Sequence, residues 1–293
     1  MNSFQNILAL VQPRSKDLTA IKKSIILAQS SNANLTLLSF NNEMSPYQKW
    51  LKKGNVTQSN NTDCIENLMN FAREKKVKIN HLVFNGIKQS KALKEQLFEN
   101  CYDLVMTEHE HEDEKLWPFD ANEYSQLLNV STIPTMFVRN KEWLHEGHVI
   151  AAIETEESTL QHQEFNQEII ERTRYIAELL HSDIHLLNCY LESCLLSFDP
   201  LEDKEKKSEF ILHCEHLAEI AEKNHLNKPS LHIEQGLVDD LIPKQAKEIN
   251  ADIVVLGCGE HKGLLSKIQG HTIDYVLNKL DCDLLSLKPP PLH

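Results

Sequence analysis

Short, nearly continuous apolar runs alternate along the chain with segments of helical periodicity, the pattern of parallel strands buried on both faces and joined by helices. The runs fall at 6–11 (NILALV), 34–40 (NLTLLSF), 78–84 (KINHLVF), 102–106 (YDLVM) and 132–138 (TIPTMFV). They recur at 148–153 (HVIAAI), 183–189 (DIHLLNC), 230–234 (SLHIE), 251–256 (ADIVVL) and 282–287 (CDLLSL). Helices are predicted between them, at 17–31, 62–76, 89–100 and 121–129, then at 159–181, 204–225, 239–249 and 272–280. In the helix over 159–181, Ile169, Ile170, Thr173, Ile176, Ala177 and Leu180 form one apolar stripe.

The two sets of five strands are copies. LTLLSF aligns with IHLLNC, Asn85-Gly86 with Gln235-Gly236, Tyr102-Asp103-Leu-Val with Ala251-Asp252-Ile-Val, and TIPTMFV with DCDLLSL, all at an offset of 149 or 150. Only the first strands stand at 142, which puts about seven extra residues into the first helix of the second copy. The reading is α/β: two tandem, doubly wound, five-stranded parallel-sheet domains of strand order 3-2-1-4-5, over 1–142 and 147–293. In such a sheet, ligands bind beyond the carboxyl ends of the first and fourth strands, where the strand order reverses.

Composition sharpens this picture at that point. The chain of 293 residues has only 8 glycines, and four of them (Gly257, Gly259, Gly263, Gly270) follow the fourth strand of the second copy. Residues 1–146 hold 17 Lys+Arg against 17 Asp+Glu, so the net charge of −13 belongs to the second half, with 13 against 26. A surface of that sign repels phosphate backbones and argues against nucleic acid and anionic membranes. Seven scattered cysteines without C-x-x-C spacing point to a reducing cytoplasm, and no apolar run approaches a membrane span.

The strand ADIVVL runs into Gly257-Cys258-Gly259-Glu260-His261-Lys262-Gly263, and Gly270-His271-Thr272 then opens a helix. Glycines delivered to a helix N-terminus can place backbone N–H groups around a phosphate. This ordering, over two copies, resembles the universal stress protein family, whose nucleotide-binding members carry G-x2-G-x9-G-(S/T) after the fourth strand. The tandem E-type members are the nearest in organisation. The resemblance implies an adenine nucleotide alpha hydrolase-like fold and an ATP site in the second domain formed by Glu154, Gly257, Gly259, Lys262, Gly263, Gly270, His271 and Thr272. Glu154 stands where those binders have an Asp ending the first strand. The match departs at Glu260, which falls on the second glycine of the motif, and at His271, which falls on the Ser/Thr position. A fixed charge about 4–6 Å from a phosphate opposes it by about 1–3 kcal/mol.

The first copy departs further. Its fourth strand runs into Glu108-His109-Glu110-His111-Glu112-Asp113-Glu114, and its first ends at Gln12, so no nucleotide is expected there. The function expected is a cytoplasmic stress-response protein acting as a small-molecule binding module, with no required cofactor and no catalytic residue assigned. The two domains are expected to form an intramolecular pseudo-dimer through TIPTMFV and CDLLSL, with a homodimer as a further option. Three alternatives stay open: a ligand-free interaction protein, a weak ATPase using Glu154 and Lys262, and a binder of an apolar or acyl metabolite. The last arises if Tyr47, Trp50, Leu195, Leu196 and Phe198 turn inward.

Other motifs read as scaffold. Gly257-x-Gly259-x3-Gly263 follows a fourth strand, where a dinucleotide fingerprint follows a first. His145-Glu146-Gly147-His148 precedes a strand and connects the copies. His109 with His111, and His213 with His216, fall short of the three or four ligands a zinc site needs, so no metal is expected. Cys258 reads as a small residue in a tight place.

Overall fold

A computed structural model of the protein describes residues 3–11, 18–41, 60–85, 89–109, 133–155, 159–191, 203–258 and 271–289. The chain divides into two compact units, Ser3–Asn140 and Lys141–His293. The first contains strands β1 (Asn6–Val11), β2 (Asn34–Asn41), β3 (Ile79–Asn85), β4 (Leu104–Glu108) and β5 (Thr135–Val138). Its helices are α1 (Thr19–Ser31), α2 (Asn60–Glu74) and α3 (Gln89–Glu99), and the helix predicted at 121–129 lies outside the described residues. The second unit contains β6 (His148–Ala152), β7 (Asp183–Tyr190), β8 (Ser230–Gln235), β9 (Ile253–Gly257) and β10 (Asp283–Leu287). Its helices are α4 (Leu160–Leu180), α5 (Asp203–Lys223), α6 (Val238–Glu248) and α7 (His271–Lys279).

Within each unit every described pairing is parallel, in the order β3-β2-β1-β4-β5 and β8-β7-β6-β9-β10. Each is the expected 3-2-1-4-5 sheet. The registers coincide too: Ala9 lies opposite Met106 in the first unit and Ala151 opposite Val255 in the second. β1, β4, β6 and β9 are almost wholly buried, as continuous apolar runs demand, whereas Ser230, Leu231 and Gln235 of β8 reach solvent.

β4 and β9 start two residues later than the apolar runs suggest, and both shifts have one cause. The carboxylate of Asp103 accepts hydrogen bonds from the amides of Gln5 (2.7 Å) and Asn6 (3.2 Å), ahead of β1. At the equivalent place the carboxylate of buried Asp252 packs so closely on Gly147, ahead of β6, that a Cβ there would collide with it. The repeated aspartates therefore tie the fourth strand of each unit to the entry of the first.

Glycine scarcity shows at the helix ends. The residues closing α1, α2, α4, α5 and α6 with left-handed backbone are Asn32 (φ 56°), Lys76 (φ 58°), His181 (φ 55°), His225 (φ 51°) and Asn250 (φ 53°). That is the position most chains give to glycine. Asn32 and His181, and likewise Lys76 and His225, stand 149 residues apart, so the duplication extends to the turns.

Candidate functional site

The carboxyl ends of β6 and β9 lie side by side. Continuing the Ala151–Val255 register by two and three residues brings Ile153 level with Gly257 and Glu154 level with Cys258. The chain leaving β6 is fixed by two amides: Asn188 Nδ2 donates to the carbonyl of Ile153 (2.9 Å) and Asn166 Nδ2 to that of Glu154 (2.7 Å). Glu154 is buried, and its carboxylate stands 3.4 Å from Nε2 of buried His162. The N-terminus of α4 is capped by Thr159, whose hydroxyl accepts from the amide of His162 (3.3 Å).

A second layer follows. Thr155 Oγ1 lies 2.7 Å from Nδ1 of His213 on α5, and the His213 ring stacks on Tyr190 at the end of β7, centroids 4.5 Å apart. Burial lowers the His213 pKa below the usual imidazole value, against the opposing field of Glu209. The Oδ1 of Asn188, 1% exposed, has no hydrogen-bond partner among the described residues. Buried amide oxygens are seldom left so, and this one needs a donor.

A family model described as the universal stress protein family matches residues 150–288. The second unit is a universal stress protein domain. Across its whole length the chain resembles a Universal stress protein E homolog of Haemophilus influenzae, 26% identical with 98% of each chain covered. It is likewise 26% identical to Universal stress protein E of Escherichia coli K12, over 99% of this chain and 95% of that one. Among solved structures, a putative universal stress protein from Pseudomonas aeruginosa has a TM-score of 0.74 at 21% identity, covering 98% and 94% of the two chains. A universal stress protein from Archaeoglobus fulgidus has 0.64 at 12%, covering 99% and 98%. At these identities the structural likeness is one of fold.

In the universal stress protein domain the predicted site residues separate into four groups. Glu154 sits among the polar side chains above. Gly257 ends β9, and there the need for a bare backbone comes from packing: a Cβ would strike the ring of Phe165 and stand 3.0 Å from Ile169 Cδ1, both on α4. His271 and Thr272 open α7. Gly259, Lys262, Gly263 and Gly270 lie outside the described residues, as does Glu260.

Asn166, Asn188, His162 and Thr155 escaped the sequence reading, and His213 entered it only as a metal candidate. The signal for Asn188 was a polar residue within the run IHLLNC. For His162 and Asn166 it was the register break that lengthened the first helix of the universal stress protein domain.

The Cys258 thiol accepts from the Ser286 hydroxyl (3.1 Å), and burial pushes its pKa up to about 12, so it stays protonated and unreactive. Among the described residues no three His, Cys, Asp or Glu gather as a metal site. His213 turns inward, His216 outward, and His111 is outside the described residues. No described helix is long and apolar enough to cross a membrane.

Proposed function

We propose that the protein is a cytoplasmic stress-response protein that works by binding a small molecule at the carboxyl edge of its universal stress protein domain. The ligand lies between Glu154 and the segment 257–272, and a nucleotide such as ATP is the first candidate. The observation that carries this reading is the Oδ1 of Asn188, unsatisfied among the described residues and buried beside Ile153 and Glu154 at the switch point of the sheet. Both Asn188 Oδ1 and the Glu154 carboxylate are acceptors, so the ligand presents N–H or O–H groups to them. A sugar hydroxyl or an exocyclic amine has that chemistry, and a phosphate does not. A phosphate belongs with the backbone N–H groups at the start of α7, where His271 and Thr272 stand. The reading retains the pseudo-dimer of the two halves, which co-purification of separately expressed halves 1–142 and 147–293 would test.

Thermal-shift and calorimetric titration of protein freed of small molecules tests the binding. A ligand at a hundred times its dissociation constant stabilises the native state by about 2.7 kcal/mol. The expected result is a rise in melting temperature with ATP that Glu154→Ala removes and Glu108→Ala leaves intact. No shift at millimolar nucleotide overturns the nucleotide. If acyl metabolites and divalent metals also leave the melting temperature unchanged, binding at this site is overturned altogether.

A further inference from the structure

On the face of the second sheet that packs against α6, three imidazoles follow one another across three adjacent strands. His185 Nε2 lies 3.1 Å from His148 Nδ1, and His185 Nδ1 lies 2.9 Å from His232 Nε2. His232 Nδ1 lies 3.2 Å from Nε2 of Gln245 on α6. The rings of His148 and His185 meet edge to face at 4.9 Å, and those of His185 and His232 stack at 5.2 Å. Strand register puts them there. Ile150 pairs with His185 and Leu187 with His232, so all three side chains share one face, one step apart along the diagonal. Tyr190 and Asn188, of opposite parity on β7, belong to the other face, towards α5.

We propose that this series is an acid-sensitive latch, in which His148, His185 and His232, closed by Gln245, hold strand β8 and helix α6 to the sheet while neutral and release them on protonation. The donor count makes it so. With the Gln245 amide donating to His232 Nδ1, His232 donates through Nε2 to His185 Nδ1, and His185 donates through Nε2 to His148 Nδ1. Every contact is satisfied by one shared tautomer, and a rotated amide reverses the sense without changing the count. A proton added to His185 makes both its nitrogens donors. His232 must then move its own proton to Nδ1, and the Gln245 amide must rotate to accept it through its oxygen, which uses up the last acceptor of the series. A proton added to either neighbour as well sets two N–H groups against each other, and the series breaks.

The charged surroundings are few. From β7 the series faces Asp183, from β8 Glu234, and from α6 Glu248, with Lys244 bridging Glu234 (3.6 Å) and Glu248 (3.9 Å). These carboxylates favour protonation. Burial, followed by repulsion from His232 and His148, outweighs them and holds His185 down to about 4, and burial lowers His232 as well. A histidine whose pKa is lowered on folding adds stability above its unfolded value of 6.5, and that stability is lost as pH falls from there towards 4. The first unit has Asn6, Thr36 and Leu82 in the corresponding places. Its β3 carries His81, lowered by burial in the same sense, so the internal control is α3, the counterpart of α6, which has no histidine.

Histidine-labelled full-length protein followed by NMR tests the latch, together with amide hydrogen exchange at pH 7 and pH 5. The expected result is one tautomer shared by the three rings, no titration of His185 between pH 8 and 5, and exchange in β8 and α6 faster by about tenfold or more at pH 5 after correction for intrinsic rates, with α3 unchanged. In His185→Gln, which keeps a donor and an acceptor without a titrating proton, the acid-dependent part of this increase shrinks. A His185 that titrates near 6.5, or β8 and α6 amides whose exchange rises no more between pH 7 and 5 than that of α3, would overturn the latch. Both readouts come from the unsubstituted protein, so a variant that fails to fold does not decide the matter.

Discussion

Gly257 and Glu108 end the fourth strands of their units at the same register position, and the two residues do opposite things. In the first unit the buried Glu108 carboxylate accepts from the amide of Ala20 (3.1 Å) at the N-terminus of α1. That helix has no capping side chain of its own, because Leu18 precedes it in left-handed backbone. In the universal stress protein domain the side chain is missing, and the ring of Phe165 from α4 fills the space. α4 has 21 residues against 13 for α1, and its extra first turns supply His162, Phe165 and Asn166. Loss of a side chain at the strand end and gain of two helical turns are thus one exchange. The first unit uses its own carboxylate to satisfy a helix N-terminus, while the second rests a helix against its switch point and surrounds Glu154 with amides.

Swapping the two residues breaks the comparison most severely. Gly257→Glu forces a carboxylate into the ring of Phe165, with no helix N-terminus there to receive it. The expected loss is about 3–5 kcal/mol, the range for an uncompensated buried charge, read from urea unfolding of the full chain. Near-native stability would mean that the Phe165 contact is not what requires glycine. The reciprocal Glu108→Gly leaves the Ala20 amide buried without an acceptor, for an expected loss of about 1–3 kcal/mol. It should leave ligand affinity in the second unit unchanged.

The duplicated sheet was legible because its signal is one-dimensional. Buried parallel strands are apolar runs, and copies of such runs at a constant offset show without any contact being known. The place of Glu154 just past a first strand was legible through the resemblance to the family pattern, which has a carboxylate there. What surrounds it was not: Asn166 and Asn188 act through amide groups on carbonyls of a neighbouring segment, and no periodicity encodes which carbonyl an amide will meet. Gly257 shows the reverse limit. The glycine cluster drew attention to the loop after β9, yet the structural demand at its first member is the ring of Phe165, a residue 92 positions earlier in the chain. A motif position filled by the expected residue can be filled for a different reason.

The longer helix gives a finer test. Asn166→Ala removes the hydrogen bond to the Glu154 carbonyl and should lower stability by about 0.5–1.5 kcal/mol. Its larger effect should be on binding, because the exit of the chain from β6 then loses one of its two clamps. The expected signature is a weaker ligand-induced thermal shift, out of proportion to the small loss of stability. An affinity unchanged in Asn166→Ala, alongside one abolished in Glu154→Ala, would mean that Asn188 alone sets the position of Glu154.

The smallest expected effect concerns His213. Its neutral form is favoured by burial in the folded protein, while the unfolded chain takes up a proton below about 6.5. The stability it contributes is therefore fully present above that pH and declines as the solution is acidified. Thr155→Val takes away the hydroxyl partner of Nδ1 without adding a charge, so it should lower stability by a few tenths to about 1 kcal/mol while keeping this decline. His213→Gln should remove the decline attributable to this ring and leave that of the His148–His185–His232 series in place. The corresponding site of the first unit falls at residues 63 and 64, an aspartate and a cysteine, and has no imidazole to titrate there. Substitutions at those two positions should leave the stability profile between pH 7 and 5 unaltered, and any acid-dependent change they caused would assign the titration to the wrong unit.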